Sequence, residues 1–210
     1  MSKPRILILC CGAGTVALRF LEAGWEVVAL DINPQIEPRR GLTIIHDDIR
    51  NVNANDLGTF DAIWFSPPCE RFSKAARSLH HFDTSPGDGL WPALTPGAIE
   101  AIQIVEAGME FMRLARYWWM ENPVGAMRHI AATQGLPRVT IDYCMYNDEQ
   151  NRKKPTDLFG SFPYTWQPRE NCIHEAWSHT DLGDVRSYLA RSAIPRELVY
   201  DVIDSLNKVV

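Results

Sequence analysis

The stretch RILILCCGAGTVALRFLEAGWEVVALD, residues 5–31, decides the fold. Arg5–Cys10 is an unbroken apolar run of buried-strand length. Gly12 and Gly14 interrupt it, and Thr15–Ala23 then sets Val16, Leu18, Phe20 and Leu21 among good helix formers. Gly24 stands where a helix C-terminus belongs, and Glu26–Leu30 is a second apolar run that ends at Asp31. Strand, glycine turn, helix and strand in that order form the opening unit of an open α/β sheet.

The same alternation continues outward. Leu42–Ile45 reads as a third strand, and Phe60–Phe65 as a fourth, stopped by Ser66-Pro67-Pro68-Cys69. Ile99, Ile102, Val105, Met109, Met112 and Leu114 recur at helical spacing and predict a helix over Ala98–Arg116. Tyr117–Met120, Val139–Met145 and Thr156–Phe162 read as further strands, with Trp118 and Trp119 as core of the fifth. Pro195 opens a terminal helix running to Leu206. The prediction is one α/β domain over residues 1–210, a doubly wound mixed sheet of about seven strands. Residues 70–96 lose all periodicity and carry Pro86, Gly87, Gly89, Pro92 and Pro96, which makes them a long functional loop.

Composition bounds what such a domain does. Of 210 residues, 46% are hydrophobic and 22% charged, which excludes wholesale disorder. There is no long apolar run to cross a membrane, and Met1–Arg5 has no secretory pattern, so a cytoplasmic protein is expected. A net charge of −5 disfavours a surface that grips nucleic acid everywhere, while leaving room for a local basic patch. Five irregularly spaced cysteines suit free thiols in a reducing compartment better than a disulfide framework.

The chemically loaded residues sit at strand ends, where open α/β sheets bind ligands. Cys11-Gly12-Ala13-Gly14-Thr15 lets the backbone approach a ligand at a helix N-terminus, and Asp31 stands where a carboxylate would accept from a ribose diol. That pair suits nicotinamide, flavin and S-adenosylmethionine alike, and equally a plain tight turn. Cys69 sits at a strand tip behind two prolines and ahead of polar residues, a placement for an aimed nucleophile rather than a small buried apolar side chain.

Pro68-Cys69-x-x-Phe72-Ser73 resembles the Pro-Cys-x-x-Phe-Ser motif of the cytosine-5 DNA methyltransferases. Glu121-Asn122-Pro123 resembles that family's Glu-Asn-Val, with Pro123 in place of Val, and Gln150-Asn151-Arg152-Lys153-Lys154 its Gln-x-Arg-x-Arg, with Lys154 replacing the second Arg. Arg191-Ser192-Ala193-Ile194 occupies the place of its Gly-Asn-Ser/Ala-Val. The Asn-Pro after the Glu, and Lys154-Pro155-Thr156, are similar to short methylase-like proteins of phage genomes.

The resemblance implies a class I, Rossmann-like fold, S-adenosylmethionine as cofactor, and methyl transfer to C5 of cytosine in DNA in a bacterial or phage-infected cell. It implies catalytic roles for Cys69 as the nucleophile at C6, Glu121 at N3, and Arg152 or Lys154 at O2. The cofactor would be held by Cys11–Thr15, Asp31, Ile32, Asp48, Ile49, Pro67, Pro68 and Ser192. Ser66, Arg71, Ser73, Lys74, Asn122 and Pro123 would meet the substrate, with Arg77 also offered to phosphates by the loop after Cys69. His80, His81 and Trp91 read as loop anchors or as surfaces for stacking on a base.

Only about 36 residues, 155–190, lie where the family carries a separate target-recognition domain. Sequence choice would then come from loops or a partner protein, on a chain expected to be a monomer without membrane contact. The shortage of a reader, with the acidity, keeps open the same chemistry on RNA or a free cytidine nucleotide. The departures at Lys154, Arg191 and Ser192 keep open a catalytically silent cofactor-binding module. Cys172-Ile173-His174 with His179 and Cys144 is not a standard ligand spacing, so no metal ligands are assigned.

Overall fold

Alternate residues along the first strand face opposite ways: Ile6 and Ile8 enter one core, Leu7 and Leu9 the other. Both faces must therefore be covered, which is why these strands read as continuous apolar runs. A computed structural model of the chain describes residues 3–74, 80–147, 151–175, 178–180 and 192–210.

The sheet has seven strands: β1 (Arg5–Leu9), β2 (Glu26–Asp31), β3 (Leu42–His46), β4 (Ala62–Phe65), β5 (Tyr117–Pro123), β6 (Arg138–Asp142) and β7 (Pro155–Ser161). Their order is β3-β2-β1-β4-β5-β7-β6. β3, β2, β1, β4 and β5 run parallel, whereas β7 is antiparallel to both β5 and β6. Helices α1 (Thr15–Glu22) and α3 (Arg196–Leu206) pack with the Ile6, Trp64 and Trp119 face. Helix α2 (Pro96–Met109) covers the Leu7, Ile63 and Phe65 face. The chain leaves β1 and β4, neighbours in the sheet, toward opposite faces, so a crevice opens at their carboxyl ends.

This is the expected doubly wound mixed sheet, with three local differences. The helix expected over Ala98–Arg116 begins at Pro96, capped by the Thr95 side chain on the Ala98 amide, and stops at Met109. Met112–Leu114 is a 3-10 turn that still buries Met112 and Leu114 in the same core, so the apolar spacing outlasts the helix. The sixth strand ends at Asp142 rather than Met145. Tyr143–Tyr146 is a 3-10 turn closed by Asn147 in the left-handed region, which swings Tyr143 and Cys144 inward. Trp119 is buried and packs against Trp64 and Trp166, as a core residue should.

Among the described residues the loop 70–96 contains no α-helix before α2. It is pinned by a bridge between Phe82 and Ala93, by Phe72 stacked on Phe82, and by Trp91 stacked on His129 at 3.8 Å between ring centres. His81 meets Thr95 through Nδ1 and Arg71 through Nε2. His81 and Trp91 are thus anchors of the loop. Arg77 lies outside the described residues.

Candidate active site

Three successive departures from ordinary backbone shape the turn after β1: φ is +55° at Cys10, +50° at Gly12 and +73° at Gly14. Two of the three are glycines because a side chain there is strained, and a Cβ on Gly14 would also lie 2.4 Å from Ile36 Cδ1. Gly14 gives α1 no side-chain cap, which leaves the first-turn amides without that internal acceptor. Asp31 closes the turn from β2: Gly12 N–H donates to its Oδ2 and Asn33 N–H to its Oδ1, each at 2.8 Å.

This turn lines a cleft of about 500 Å³ that is also lined by Ser66, Pro67, Pro68, Cys69, Glu121, Pro123, Lys154 and Ser192. A second compartment of about 370 Å³, lined by Ile32, Asp48, Ile49, Arg50, Arg71 and Glu100, adjoins it through Cys10, Asp31, Pro68 and Glu70. Asp48 is engaged there by Arg50, with Nε at 2.9 Å from Oδ1 and Nη2 at 2.5 Å from Oδ2. The Arg50 guanidinium holds its carboxyl below the usual carboxylate range and reaches on to Glu100 at 3.3 Å. Burial, then the nearby Asp31, pushes the Cys11 thiol up to about 12, so it lines the cleft as a neutral group.

The nucleophile candidate stands on braced backbone. Asn122, fully buried, donates from Nδ2 to the Pro67 carbonyl at 3.0 Å. The Cys69 carbonyl accepts from the amides of Phe72 and Ser73 at 3.1 and 3.0 Å. Ser73 then bridges to Gly125, and Ala126 N–H donates to Phe72 O at 2.8 Å. A Cβ on Gly125 would sit 1.9 Å from that same carbonyl, so glycine is what lets the two segments touch.

Burial and the Glu121 carboxylate raise the Cys69 thiol to about 11, while the Lys154 ammonium acts in the opposite sense. Glu121 is buried on β5 and accepts from the Tyr143 hydroxyl at 2.8 Å. Tyr143 is wholly buried; burial, then Glu121, pushes its phenol up, so it stays a donor. Lys154 Nζ lies 4.7 Å from the Tyr143 ring centre and Arg152 Cζ 5.9 Å.

The expected site residues therefore separate by place. Cys69, Glu121 and Lys154 line one cleft with Ser66, Pro123, Cys11, Gly12, Ala13 and Thr15. Arg152 does not line that cleft: it is fully buried and donates from Nη2 to the Ala193 carbonyl at 3.2 Å. Asn122 and Ser73 act on backbone, and Arg71 faces the second compartment. Lys74 is exposed, while Gln150 and Arg191 lie outside the described residues. Tyr143 and Arg50 were not singled out from sequence. Tyr143 lies 22 positions from Glu121 and meets it through the β5-β7-β6 arrangement, which carries no local spacing signal.

A glycine turn after β1, an acid ending β2 and a seven-stranded sheet with β7 antiparallel define the class I, Rossmann-like methyltransferase fold. The model of the family described as C-5 cytosine-specific DNA methylase matches residues 5–103, which hold the glycine turn and the Cys69 strand end. Over that stretch the chain is similar to that family. It is 30% identical over 121 residues to the probable DNA (cytosine-5)-methyltransferase of Frog virus 3 (isolate Goorha), a match covering 54% of this chain and 53% of the viral protein. The chain thus spans about half the length of that curated relative. Among solved structures it is similar to the Dnmt2 methyltransferase of S. pombe, at 18% identity over 83% of this chain and 52% of that one, TM-score 0.47. It is also similar to the Entamoeba histolytica methyltransferase EhMeth, at 7% identity over 83% and 58%, TM-score 0.48.

Proposed function

We propose that the protein transfers a methyl group from S-adenosylmethionine to C5 of cytosine in DNA, through a covalent bond between Cys69 and C6 of the base. The observation that carries this reading is the single cleft that gathers Cys69, Glu121 and Lys154 with the glycine turn. The residues fit the cofactor: a backbone turn at positive φ, uncapped helix amides, a fixed carboxylate at Asp31, and neutral lining from Cys11 and Ile32. When bound, the cofactor supplies an electrophilic methyl group beside the cytosine.

The protein's part is to make C5 a nucleophile. Cys69 Sγ bonds to C6 as its thiol proton passes to the Glu121 carboxylate, and the electron pair of the C5–C6 double bond moves toward C5. Glu121 passes that proton on to N3, where charge would otherwise accumulate, and the Tyr143 hydroxyl holds its carboxyl in place. Lys154 faces the same cleft as the cation for O2. After C5 is methylated, its proton passes to water, the electron pair left at C5 re-forms the C5–C6 double bond as Sγ leaves C6, and N3 returns its proton to Glu121.

The target is a base taken out of its stack, since a cleft of this kind cannot reach C6 within a duplex. Residues 155–190 leave sequence choice to loops or a partner protein. Incubation with labelled S-adenosylmethionine and DNA, followed by nucleoside analysis, is expected to yield 5-methylcytosine and none with Cys69→Ala. A 5-fluorocytosine trap run on duplex, single strand and free nucleotide reports the substrate class. Adduct on the free nucleotide alone overturns the DNA assignment, and cofactor binding without any adduct overturns the enzymatic one.

A further inference from the structure

Outside the residues that line the cleft, four potential ligand atoms gather beside the turn that follows β6: one each from Cys144, Cys172, His174 and His179, all within 4.8 Å of one another. Cys172 Sγ lies 3.4 Å from His174 Nδ1 and 3.3 Å from His179 Nε2. A tetrahedral zinc with bonds of about 2.3 Å to sulfur and about 2.0–2.1 Å to nitrogen sets sulfur–nitrogen edges of about 3.5 Å. Those two contacts already have the length of edges of such a tetrahedron.

The chain builds this cluster with some care. Cys144 is buried in the 3-10 turn after β6, placed there because β6 stops at Asp142. Asp142 Oδ2 then accepts from the Cys172 amide at 3.0 Å, bringing the second sulfur alongside the first. The Asn151 side-chain amide donates to Ser178 O at 2.6 Å and the Asn151 backbone carbonyl accepts from Thr180 N–H at 3.1 Å, so the residues flanking His179 are both held. His174 is exposed and leaves an entry path.

We infer that Cys144, Cys172, His174 and His179 form a structural zinc site. Two thiolates and two imidazoles favour zinc over the hard cations magnesium and calcium, and four protein ligands leave no position for a reacting group. The site ties the 172–180 segment to β6 and, through Asn151, to the stretch that delivers Arg152 and Lys154. This inference stands apart from the methyl-transfer proposal: the metal can be present whether or not the cleft methylates anything.

Metal analysis of the intact reduced protein, purified without chelators, is expected to find one zinc per chain. Cobalt(II) added to the stripped wild-type protein should give the intense visible bands of a tetrahedral thiolate site. Cys172→Ser and His179→Gln should each lose the metal, while Cys69→Ser keeps it. The inference is overturned by less than about a tenth of an equivalent of zinc together with no cobalt bands. It is overturned equally by a native mass showing Cys144 and Cys172 joined as a disulfide, or by full zinc retention in both ligand variants. Should a variant fail to fold, the cobalt titration of the wild type decides alone.

Discussion

The environment of Cys69 makes a quantitative statement about its reactivity. Its thiol stands at about 11 against an ordinary 9.0, because it is buried and faces Glu121, with Lys154 opposing. At pH 8 the thiolate fraction is then about a hundredfold below that of an ordinary cysteine. A more basic thiolate is more nucleophilic, and a Brønsted slope of about 0.4–0.5 returns roughly tenfold over two pH units. Cys69 should therefore react with an aromatic disulfide about tenfold more slowly than an unperturbed thiol at pH 8. Its rate should also climb about tenfold per pH unit from 6.5 to 9.5 without levelling.

Two substitutions test the cause. A neighbouring charge moves a pKa by about one unit or more. Glu121→Gln removes the raising carboxylate while keeping an acceptor for Tyr143, and Lys154→Met removes the lowering ammonium at similar volume. After the nucleophilicity correction, Glu121→Gln should label Cys69 about threefold faster and Lys154→Met about threefold slower. Quenched labelling with peptide mass spectrometry separates Cys69 from Cys11, whose thiol stands higher, at about 12. A profile that flattens at or below pH 9, or two variants that shift the rate in the same direction, refutes the reasoning.

Gly125→Ala forces a Cβ against the Phe72 carbonyl and should cost about 1–3 kcal/mol in denaturant unfolding, with a change in Cys69 labelling because both lie on one braced segment. Gly14→Ala asks an ordinary residue to hold φ +73° and should lower stability by about 1–2 kcal/mol and weaken S-adenosylmethionine binding measured by calorimetry. Tyr143→Phe takes a donor from a buried carboxylate and should cost about 1–2 kcal/mol, a fall of about 2–8 °C in the melting midpoint. Lys74→Ala, on the exposed loop after Cys69, should weaken DNA binding at every sequence alike and flatten the log–log salt dependence by about 0.9.

What could be read from the chain was what short-range pattern encodes. Residues 5–31 show their strands because both faces are buried, and Asp31, Glu121 and Cys69 declare themselves by following apolar runs, although β5 continues past Glu121 to Pro123. Residues that meet across the sheet left no such trace. Tyr143 reaches Glu121 only because β7 lies between their strands, and Cys144 joins Cys172 only because β6 stops short. Apolar spacing also misled where a 3-10 turn buried the same face as the helix before it, at Met112–Leu114. The pairing of Asp48 with Arg50 was hidden for another reason: two adjacent charges in sequence read equally well as solvated loop.

The replacement of an arginine by Lys154 looks, in sequence, like damage to one of two equivalent cations, and the geometry argues otherwise. Arg152 has a planar fork suited to fixed backbone acceptors, and here it is buried with a bond to Ala193. That bond holds the 192–194 segment, which forms part of the cleft wall. Lys154 is the cation that faces the cleft, where a compact ammonium acts on Cys69 through space and needs no fork geometry. One basic residue thus shapes the wall and the other charges it. A lysine at the second position keeps the field that favours the thiolate, which is the quantity the labelling rates measure.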